Sequence, residues 1–230
     1  LEVFRRIAAE RKSLLRILSE EVILRELRIT RSGTEVTASF RDREVFPEPV
    51  RLHTPLIGEA QAENAALAAL AARLSSFRPS PEAVLEGISR ASLPARFQIL
   101  PGEPPVVLDG AHTPASMTYT ARTFQSLFPG PAVLVLACAE DKRPAEMARA
   151  LSAQFRKAIV TRPGTFKKSD PEATADAVRT EGFEVDLVPD TVEALRLGME
   201  RARSEGTPLL VTGSFYLCAA ALNAFRETLS

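Results

Sequence analysis

The sequence has no net charge and few cysteines, and both shortages narrow the class of protein. Lys and Arg together number 29, and Asp and Glu together also number 29. No overall field therefore draws the chain to nucleic acid or to an acidic membrane surface, and an anionic ligand would need a local site. Cys138 and Cys218 lie within apolar segments without metal-ligand spacing, which predicts reduced thiols in the core of an intracellular protein.

Long apolar runs and several familiar motifs are also missing. No apolar run approaches the roughly 20 residues that span a bilayer. The first residues lack the apolar core of a signal peptide, and we therefore expect a cytoplasmic protein. The chain has no G-x-x-x-x-G-K-[ST] phosphate loop, no G-x-G-x-x-G after a strand, no Cys and His cluster for zinc and no G-x-S-x-G elbow. No basic face carries interleaved aromatic residues, so nucleic-acid binding has little support.

What the chain does contain is a change of pattern near residue 93. Residues 1–93 predict a helix, a hairpin about Arg31-Ser32-Gly33, a short strand, an Ala-rich helix and one more helix. In residues 94–230, strand-like runs such as "VVLDG", "AVLVLAC" and "PLLVTG" alternate with helical patterns. This alternation predicts an α/β fold whose second part is doubly wound and Rossmann-like, with a mostly parallel sheet covered on both faces.

Candidate functional residues follow from the rule that ligands bind at the carboxyl ends of the strands in such sheets. Asp109, Gly110 and His112 end the first strand of the second part. Thr212-Gly213-Ser214 ends its last strand and opens a helix, where free N–H groups can hold an anion. A simpler interpretation stays open, in which Asp109-Gly110 is a turn and Ser214 is only a helix cap. Glu140-Asp141-Lys142 is interpreted as a solvated loop.

Three segments occur in a fixed order: "LIGEAQAENAALAAL", then "LPARF" with "VVLDGAHTPASM", then "VTGSFYL". The first resembles the G-x-H-Q-x-x-N-A-x-x-A-L helix of the folylpolyglutamate synthase and dihydrofolate synthase family, in the Mur ligase superfamily. The second pair resembles that family's P-G-R and L-D-G-A-H-N-P segments, and the last is similar to its T-G-S-L-Y. The resemblance runs from about residue 1 to the C terminus.

The resemblance implies an ATP-dependent ligase that adds L-glutamate to dihydropteroate, to folylpolyglutamate or to both. In such enzymes ATP phosphorylates a carboxylate, and the glutamate amine attacks the acyl phosphate. The resemblance further implies ATP and Mg²⁺ as cofactors, small-molecule substrates, a monomer, and no nucleic-acid or membrane partner. Residues 1–93 would be the C-terminal part of a central ATP-binding domain, and residues 94–230 the glutamate ligase domain. The phosphate loop, the magnesium ligands and a carbamylated lysine are then expected upstream of Leu1, and we expect little ligase activity from this chain alone.

Roles for individual residues come from their positions in these motifs. The resemblance implies that Asn64 hydrogen-bonds the adenine, since an amide has both a donor and an acceptor. Arg96 would meet the phosphates, because a guanidinium fork suits the charge that develops in phosphoryl transfer. Asp109 would accept the ribose hydroxyls or orient Arg96.

The remaining site residues are also implied by the resemblance. His112 would position the nucleotide or the incoming glutamate. Ser214 and Tyr216 would line the same crevice from the end of the last strand. Arg96, Asp109 and His112 are thus the candidate catalytic residues, and no metal ligand is expected within this chain.

The sequence departs from the family pattern at three positions. Ala60 replaces the histidine before the family's glutamine, Ala95 replaces the glycine before Arg, and Thr113 replaces the asparagine after His. Lys167 and Lys168 stand where many relatives carry an Arg-Ala pair, and they are assigned no role.

Two other functions stay open on the sequence alone. A Mur ligase of peptidoglycan synthesis is the nearest, because D-x-A-H-N-P motifs occur there as well, although "LDGAH" and "TGSFY" favour the folate branch. A non-catalytic doubly wound binding module is the other, and the combination of Asn64, Arg96 and Asp109 argues against it.

Overall fold

The computed structural model describes residues 1–164 and 168–226, which form two compact units. The N-terminal unit comprises Leu1–Ile29, Gly33–Pro55 and Glu59–Ala91. The C-terminal unit comprises Thr30–Ser32, Leu56–Gly58 and Ser92–Ser230. Within the described ranges, no helix has the length and apolar character that a membrane crossing requires.

The N-terminal unit combines helices with a small sheet. Its elements are α1 (Glu2–Glu10), α2 (Leu18–Glu21), β1 (Val22–Thr30), β2 (Gly33–Phe40), β3 (Val50–Thr54), α3 (Glu59–Leu74) and α4 (Pro81–Ser89). The strands have the order β1-β2-β3, and β2 and β3 are antiparallel. One face of α3 is buried, because small side chains recur on it at helical spacing and pack into the core of this unit.

The C-terminal unit alternates strands and helices. Its elements are β4 (Gln98–Leu100), β5 (Val106–Asp109), α5 (Pro114–Leu127), β6 (Val133–Ala137), α6 (Pro144–Leu151), β7 (Lys157–Thr161), α7 (Pro171–Arg179), β8 (Glu184–Leu187), α8 (Thr191–Glu205), β9 (Leu209–Thr212) and α9 (Phe215–Arg226). Among the described residues, six strands form one sheet in the order β4-β5-β9-β6-β7-β8. Strand β4 is antiparallel to β5, and the other pairs are parallel.

The course of the chain confirms the predicted doubly wound architecture. From β5 to β8 the chain moves along the sheet in one direction, and it then returns to β9 between β5 and β6. Since crossovers between parallel strands are right-handed, this reversal puts α5, α6 and α7 on one face and α8 on the other. Consistent with this, α6 packs against both α5 and α7, and α8 packs against α9.

Two elements were not predicted from the sequence. Helix α2 is a single turn, too short for a periodic signal. Strand β4 lies shortly after the change of pattern near residue 93, and its three residues are extended because they pair with β5 at the sheet edge. The predicted burial of the two free thiols is confirmed, since Cys138 and Cys218 are both buried.

The register of the sheet decides which strand ends meet. Asp109 of β5 and Leu136 of β6 both pair with Thr212 of β9. The carboxyl ends of three neighbouring parallel strands therefore lie at one edge. After β9 the chain turns at Gly213, with φ of 99°, and a Cβ there would lie 2.1 Å from the Ala137 carbonyl oxygen. Only glycine fits this turn, which brings the start of α9 close to the end of β5.

Candidate functional site

Asp109 lies at the carboxyl end of β5, and its carboxylate accepts three hydrogen bonds from the chain itself. The backbone N–H of Phe97 donates to Oδ2 at 2.7 Å. The backbone N–H of Ala111 and the Thr120 hydroxyl donate to Oδ1 at 2.8 and 2.9 Å. The carboxylate therefore joins the segment before β4, the turn after β5 and the middle of α5.

Burial raises the pKa of the Asp109 carboxyl above its ordinary value. Desolvation is the largest cause, because it penalises the charged form. The three hydrogen-bond donors and the nearby Arg96 charge act in the opposite direction and lower the pKa. Hydrogen bonds thus hold Asp109 in surroundings that disfavour its charge.

Arg96 stands at the tip of a strained backbone segment. Ala95 has a φ of 57° and Phe97 a φ of 47°, both in the left-handed region that favours glycine. The Ala95 carbonyl accepts a hydrogen bond from the Gly110 N–H at 2.8 Å, and the Phe97 N–H is held by Asp109. Backbone strain of this kind costs about 1–3 kcal/mol per residue and is concentrated at functional sites. The departure at Ala95 thus falls at a position where the backbone conformation suits the family's glycine.

A phenyl ring brings two of the candidate residues together. The Arg96 guanidinium carbon lies 4.7 Å from the centroid of the Phe215 ring. The His112 ring meets the same phenyl ring edge-on, with centroids 5.8 Å apart and an interplanar angle of 62°. A Cβ at position 110 would lie 2.3 Å from this ring, so Gly110 is needed for the close approach. We call Phe215 with Arg96 and His112 the Phe215 platform.

The His112 ring is oriented by the turn that follows β5. Its Nδ1 lies 2.8 Å from the Gly110 carbonyl oxygen, an acceptor, so Nδ1 carries the proton in this arrangement. The neutral ring then has Nε2 as a hydrogen-bond acceptor. The next residue, Thr113, caps α5, and its hydroxyl accepts a hydrogen bond from the Ser116 N–H at 3.2 Å. The Thr113 hydroxyl is thus part of the helix cap.

Ser214 and Tyr216 lie at the start of α9. The Ser214 side chain is buried, and its hydroxyl accepts a hydrogen bond from the Tyr216 N–H at 3.2 Å. Tyr216 is 43% exposed. In this structure the Ser214 hydroxyl serves as a helix cap, while Tyr216 is accessible to a ligand.

Asn64 belongs to the N-terminal unit, whereas the other five candidate residues belong to the C-terminal unit. It lies on α3 with an exposed side chain, and its Nδ2 donates a hydrogen bond to the Gln61 Oε1 at 3.2 Å. The amide is therefore accessible and is oriented by a neighbour on the same helix.

The charged loops at other strand ends are held by surface ion pairs. Lys168 lies 3.0 Å from Glu140, and Lys142 lies 2.9 Å from Asp141. Lys167 lies outside the described residues. In the part of the chain that the structure describes, no group of three or more His, Cys, Asp or Glu side chains could hold a metal ion.

Sequence reasoning missed two residues of this site. Thr120 donates a hydrogen bond to Asp109 from the buried face of α5, and the Phe215 ring contacts both Arg96 and His112. The only available signal for Phe215 was an aromatic residue in "TGSFY" where the family motif has leucine. No sequence pattern identified Thr120, because its hydrogen bond to Asp109 forms only when α5 packs against the end of β5.

Comparison with known proteins agrees with this architecture. Residues 95–215, more than half of the chain, match the family model described as Mur ligase, glutamate ligase domain. A folylpolyglutamate synthase of Lacticaseibacillus casei is 30% identical over 183 residues, which cover 77% of this chain and 40% of that protein. A probable bifunctional folylpolyglutamate synthase/dihydropteroate synthase of Haloferax volcanii is 31% identical over 182 residues, covering 77% and 21%.

A solved structure shows the same fold. The folylpolyglutamate synthase of Mycobacterium tuberculosis, complexed with ADP, matches 97% of this chain and 52% of its own length. The TM-score is 0.84 and the identity is 24%. This chain thus spans less than half of the length of the two curated relatives and about half of this structure. The family match and these relatives confirm the resemblance drawn from the motifs: the chain belongs to the Mur ligase superfamily, in its folylpolyglutamate synthase and dihydrofolate synthase family.

Proposed function

We propose that this chain is part of an ATP-dependent ligase that adds L-glutamate to dihydropteroate, to folylpolyglutamate or to both. The observation that carries the proposal is the assembly of Arg96, Asp109 and His112 at one sheet edge, within the residues that match the glutamate ligase domain. A guanidinium and an exposed tyrosine at a strand end suit a phosphorylated ligand, and the acceptor Nε2 of His112 suits a hydrogen-bond donor beside it.

The two parts of the chain are proposed to have different roles. Residues 1–93 are the C-terminal part of a central ATP-binding domain, and residues 94–230 are the glutamate ligase domain. The family model that matches 95–215 supports the second assignment. Asn64, on α3 of the first part, keeps its proposed role towards the adenine.

The reaction is proposed to pass through an acyl phosphate. A carboxylate oxygen of the pteroate or folate attacks the γ-phosphorus of ATP, and the bond to ADP breaks. The glutamate amine then attacks the acyl carbon, phosphate leaves with the electrons of its C–O bond, and the nitrogen loses a proton. An acyl phosphate is destroyed by water, so a site that excludes water protects it.

Each site residue has a role consistent with its contacts. Arg96 offsets the charge on the phosphates, as an exposed guanidinium with its backbone held in place can do. The three hydrogen bonds that Asp109 already accepts support its role in orienting Arg96 rather than in binding ribose. The acceptor Nε2 of His112 suits a donor, either a nucleotide hydroxyl or the glutamate ammonium. Tyr216 is proposed to line the nucleotide crevice, and Ser214 to fix the start of α9 beside it.

An assay with several acceptors tests the proposal. The complete gene product, supplied with ATP, Mg²⁺ and L-glutamate, is expected to release ADP only when dihydropteroate or tetrahydrofolate is added. ADP release with a UDP-muramoyl peptide instead would assign the protein to peptidoglycan synthesis. No turnover with any acceptor would favour the non-catalytic binding module.

Two further measurements test the assigned parts. In the active protein, Arg96→Ala is expected to lower turnover about 100-fold or more, because it removes a charge that stabilises the transferring phosphoryl group. The 230-residue chain without further sequence is expected to have little activity, because its sequence contains no phosphate-loop motif. Turnover by this chain at the rate of the complete gene product would refute the second expectation.

A further inference from the structure

Phe215 has no role in the reaction proposed above, yet it contacts two of the residues that do. Its ring lies 4.7 Å from the Arg96 guanidinium carbon and 5.8 Å, centroid to centroid, from the His112 ring. A cation over an aromatic face is attracted by the ring quadrupole. The phenyl ring is therefore a shared support for a cation and an imidazole that come from two different loops.

The ring itself is held in place. Phe215 is the first residue of α9, directly after the Ser214 cap, and it packs against the buried core of the C-terminal unit. Gly110 leaves the space that one side of the ring occupies, because a Cβ there would overlap the ring at 2.3 Å. Because the ring lies close against Gly110 on one side and packs against the core, at the fixed start of a helix, it has little freedom to turn away.

Arg96 needs such a support. The hydrogen bond from Phe97 to Asp109 fixes the backbone on one side of it, but its own side chain is exposed. Among the residues that the structure describes, no carboxylate lies within ion-pair distance of its guanidinium. A long unpaired side chain loses entropy when a ligand orders it, and a preformed contact reduces that loss.

We propose that Phe215 is a positioning residue for the ligase reaction: its ring holds the Arg96 guanidinium and the His112 imidazole in one arrangement before the phosphorylated ligand binds. This inference rests on the proposed function. The Asp109 carboxylate fixes the Arg96 backbone, and Phe215 fixes the Arg96 side chain.

A double-mutant cycle in the complete gene product tests the inference. Phe215→Leu keeps apolar volume but removes the aromatic face, and Phe215→Tyr keeps the face. The kcat/KM for ATP is measured for both variants, for Arg96→Ala, and for Arg96→Ala combined with Phe215→Leu. Phe183→Leu, a buried Phe of the same unit that precedes β8, is the matched control for loss of core packing.

The expected pattern is non-additive. Phe215→Leu lowers kcat/KM about two- to fivefold, the factor that corresponds to an exposed cation–π contact, and Phe215→Tyr restores it. Phe215→Leu causes a smaller loss when Arg96 is already alanine, because only the contact between the ring and His112 is then removed. Phe183→Leu alters stability but not kcat/KM. The same loss from Phe215→Leu in both backgrounds, or no loss in either, would overturn the inference.

A second measurement separates this inference from the proposed function. The chain has two histidines, so the imidazole signals of His112 can be assigned by NMR with His53 as an internal reference. Phe215→Leu is expected to shift the His112 signals by removing the ring current, whereas Phe215→Tyr leaves them in place. An inactive wild-type protein with this pattern would overturn the ligase proposal and support the platform. Unchanged His112 signals in Phe215→Leu would overturn the platform, whatever the activity.

Discussion

Asp109→Ala is the substitution for which the structure allows the most complete prediction. The carboxylate is the common acceptor for the Phe97 N–H, the Ala111 N–H and the Thr120 hydroxyl. Thr120 also donates to the Ser116 carbonyl at 3.1 Å, so it keeps a partner after the substitution. The two backbone N–H groups have no second acceptor among the residues that the structure describes.

The expected cost follows from those two groups. Phe97 is 3% exposed and Ala111 is 4% exposed, so water reaches neither N–H easily. Each buried donor left unsatisfied costs about 1–3 kcal/mol. Part of this cost is offset, because the substitution also removes the desolvation penalty of the buried carboxylate. We expect a loss of about 3 kcal/mol in the free energy of unfolding, which lowers Tm by about 6–12 °C in a chain of this size.

Thermal unfolding followed by circular dichroism measures this loss. Asp176→Ala is the matched control, because the exposed Asp176 side chain forms a surface ion pair with Arg179. This substitution is expected to shift stability by less than about 1 kcal/mol. A Tm for Asp109→Ala within about 1 °C of wild type would refute the role of this carboxylate in holding the Arg96 segment. Loss of turnover in Asp109→Ala does not separate this structural role from a direct catalytic role, because displacement of Arg96 would also lower turnover.

Three further predictions concern the same unit. Burial raises the pKa of Asp109 above 3.8, so the folded chain binds the proton more tightly than the unfolded chain, and wild-type stability falls as pH rises from about 3.8 through the folded-state pKa. The unfolding free energy of wild type minus that of Asp109→Asn should therefore grow on acidification, and a difference that does not change with pH in urea unfolding would contradict this. Gly213→Ala should lower the free energy of unfolding by about 3 kcal/mol or more, because φ is 99° and the added Cβ would lie 2.1 Å from the Ala137 carbonyl oxygen. Gly206→Ala, where φ is 63° and the space around the added Cβ is open, should lower it by only about 1 kcal/mol, so equal urea midpoints for the two variants would be inconsistent with the close contact at Gly213. Burial raises the pKa of the Cys138 thiol to about 12 and that of Cys218 as well, so neither should react with a thiol reagent at pH 8 until the chain is unfolded, and fast labelling of the folded chain would contradict their burial.

Much of the C-terminal unit could be predicted from local patterns. Apolar runs such as 133–137 and 209–212 are buried on both sides, and helices with clear start signals, such as the Thr113-Pro114 start of α5, separate them. Periodicity and capping are local properties, so they are readable without the fold. The motifs at 96, 109 and 112 likewise identified the candidate residues, through resemblance rather than through spacing.

The parts that could not be predicted depend on contacts between distant segments. β4 is a strand only because β5 pairs with it, and Thr120 reaches Asp109 only after α5 packs on the strand end. Alanine itself disfavours the positive φ of Ala95, so the residue type does not predict it, and the hydrogen bond from the Gly110 N–H after β5 stabilises it.

The sequence by itself determined the alternation of strands and helices after residue 93, the mostly parallel sheet and the identity of the candidate residues, because hydrophobic period, caps and motifs are local properties of the chain. Only the tertiary structure decided that Asp109 holds the Arg96 backbone and that Phe215 supports the Arg96 side chain. The physical reason is that hydrogen bonds and ring contacts need partners within a few ångströms, and residues 96, 109 and 215 come that close only when β5 and β9 are neighbours.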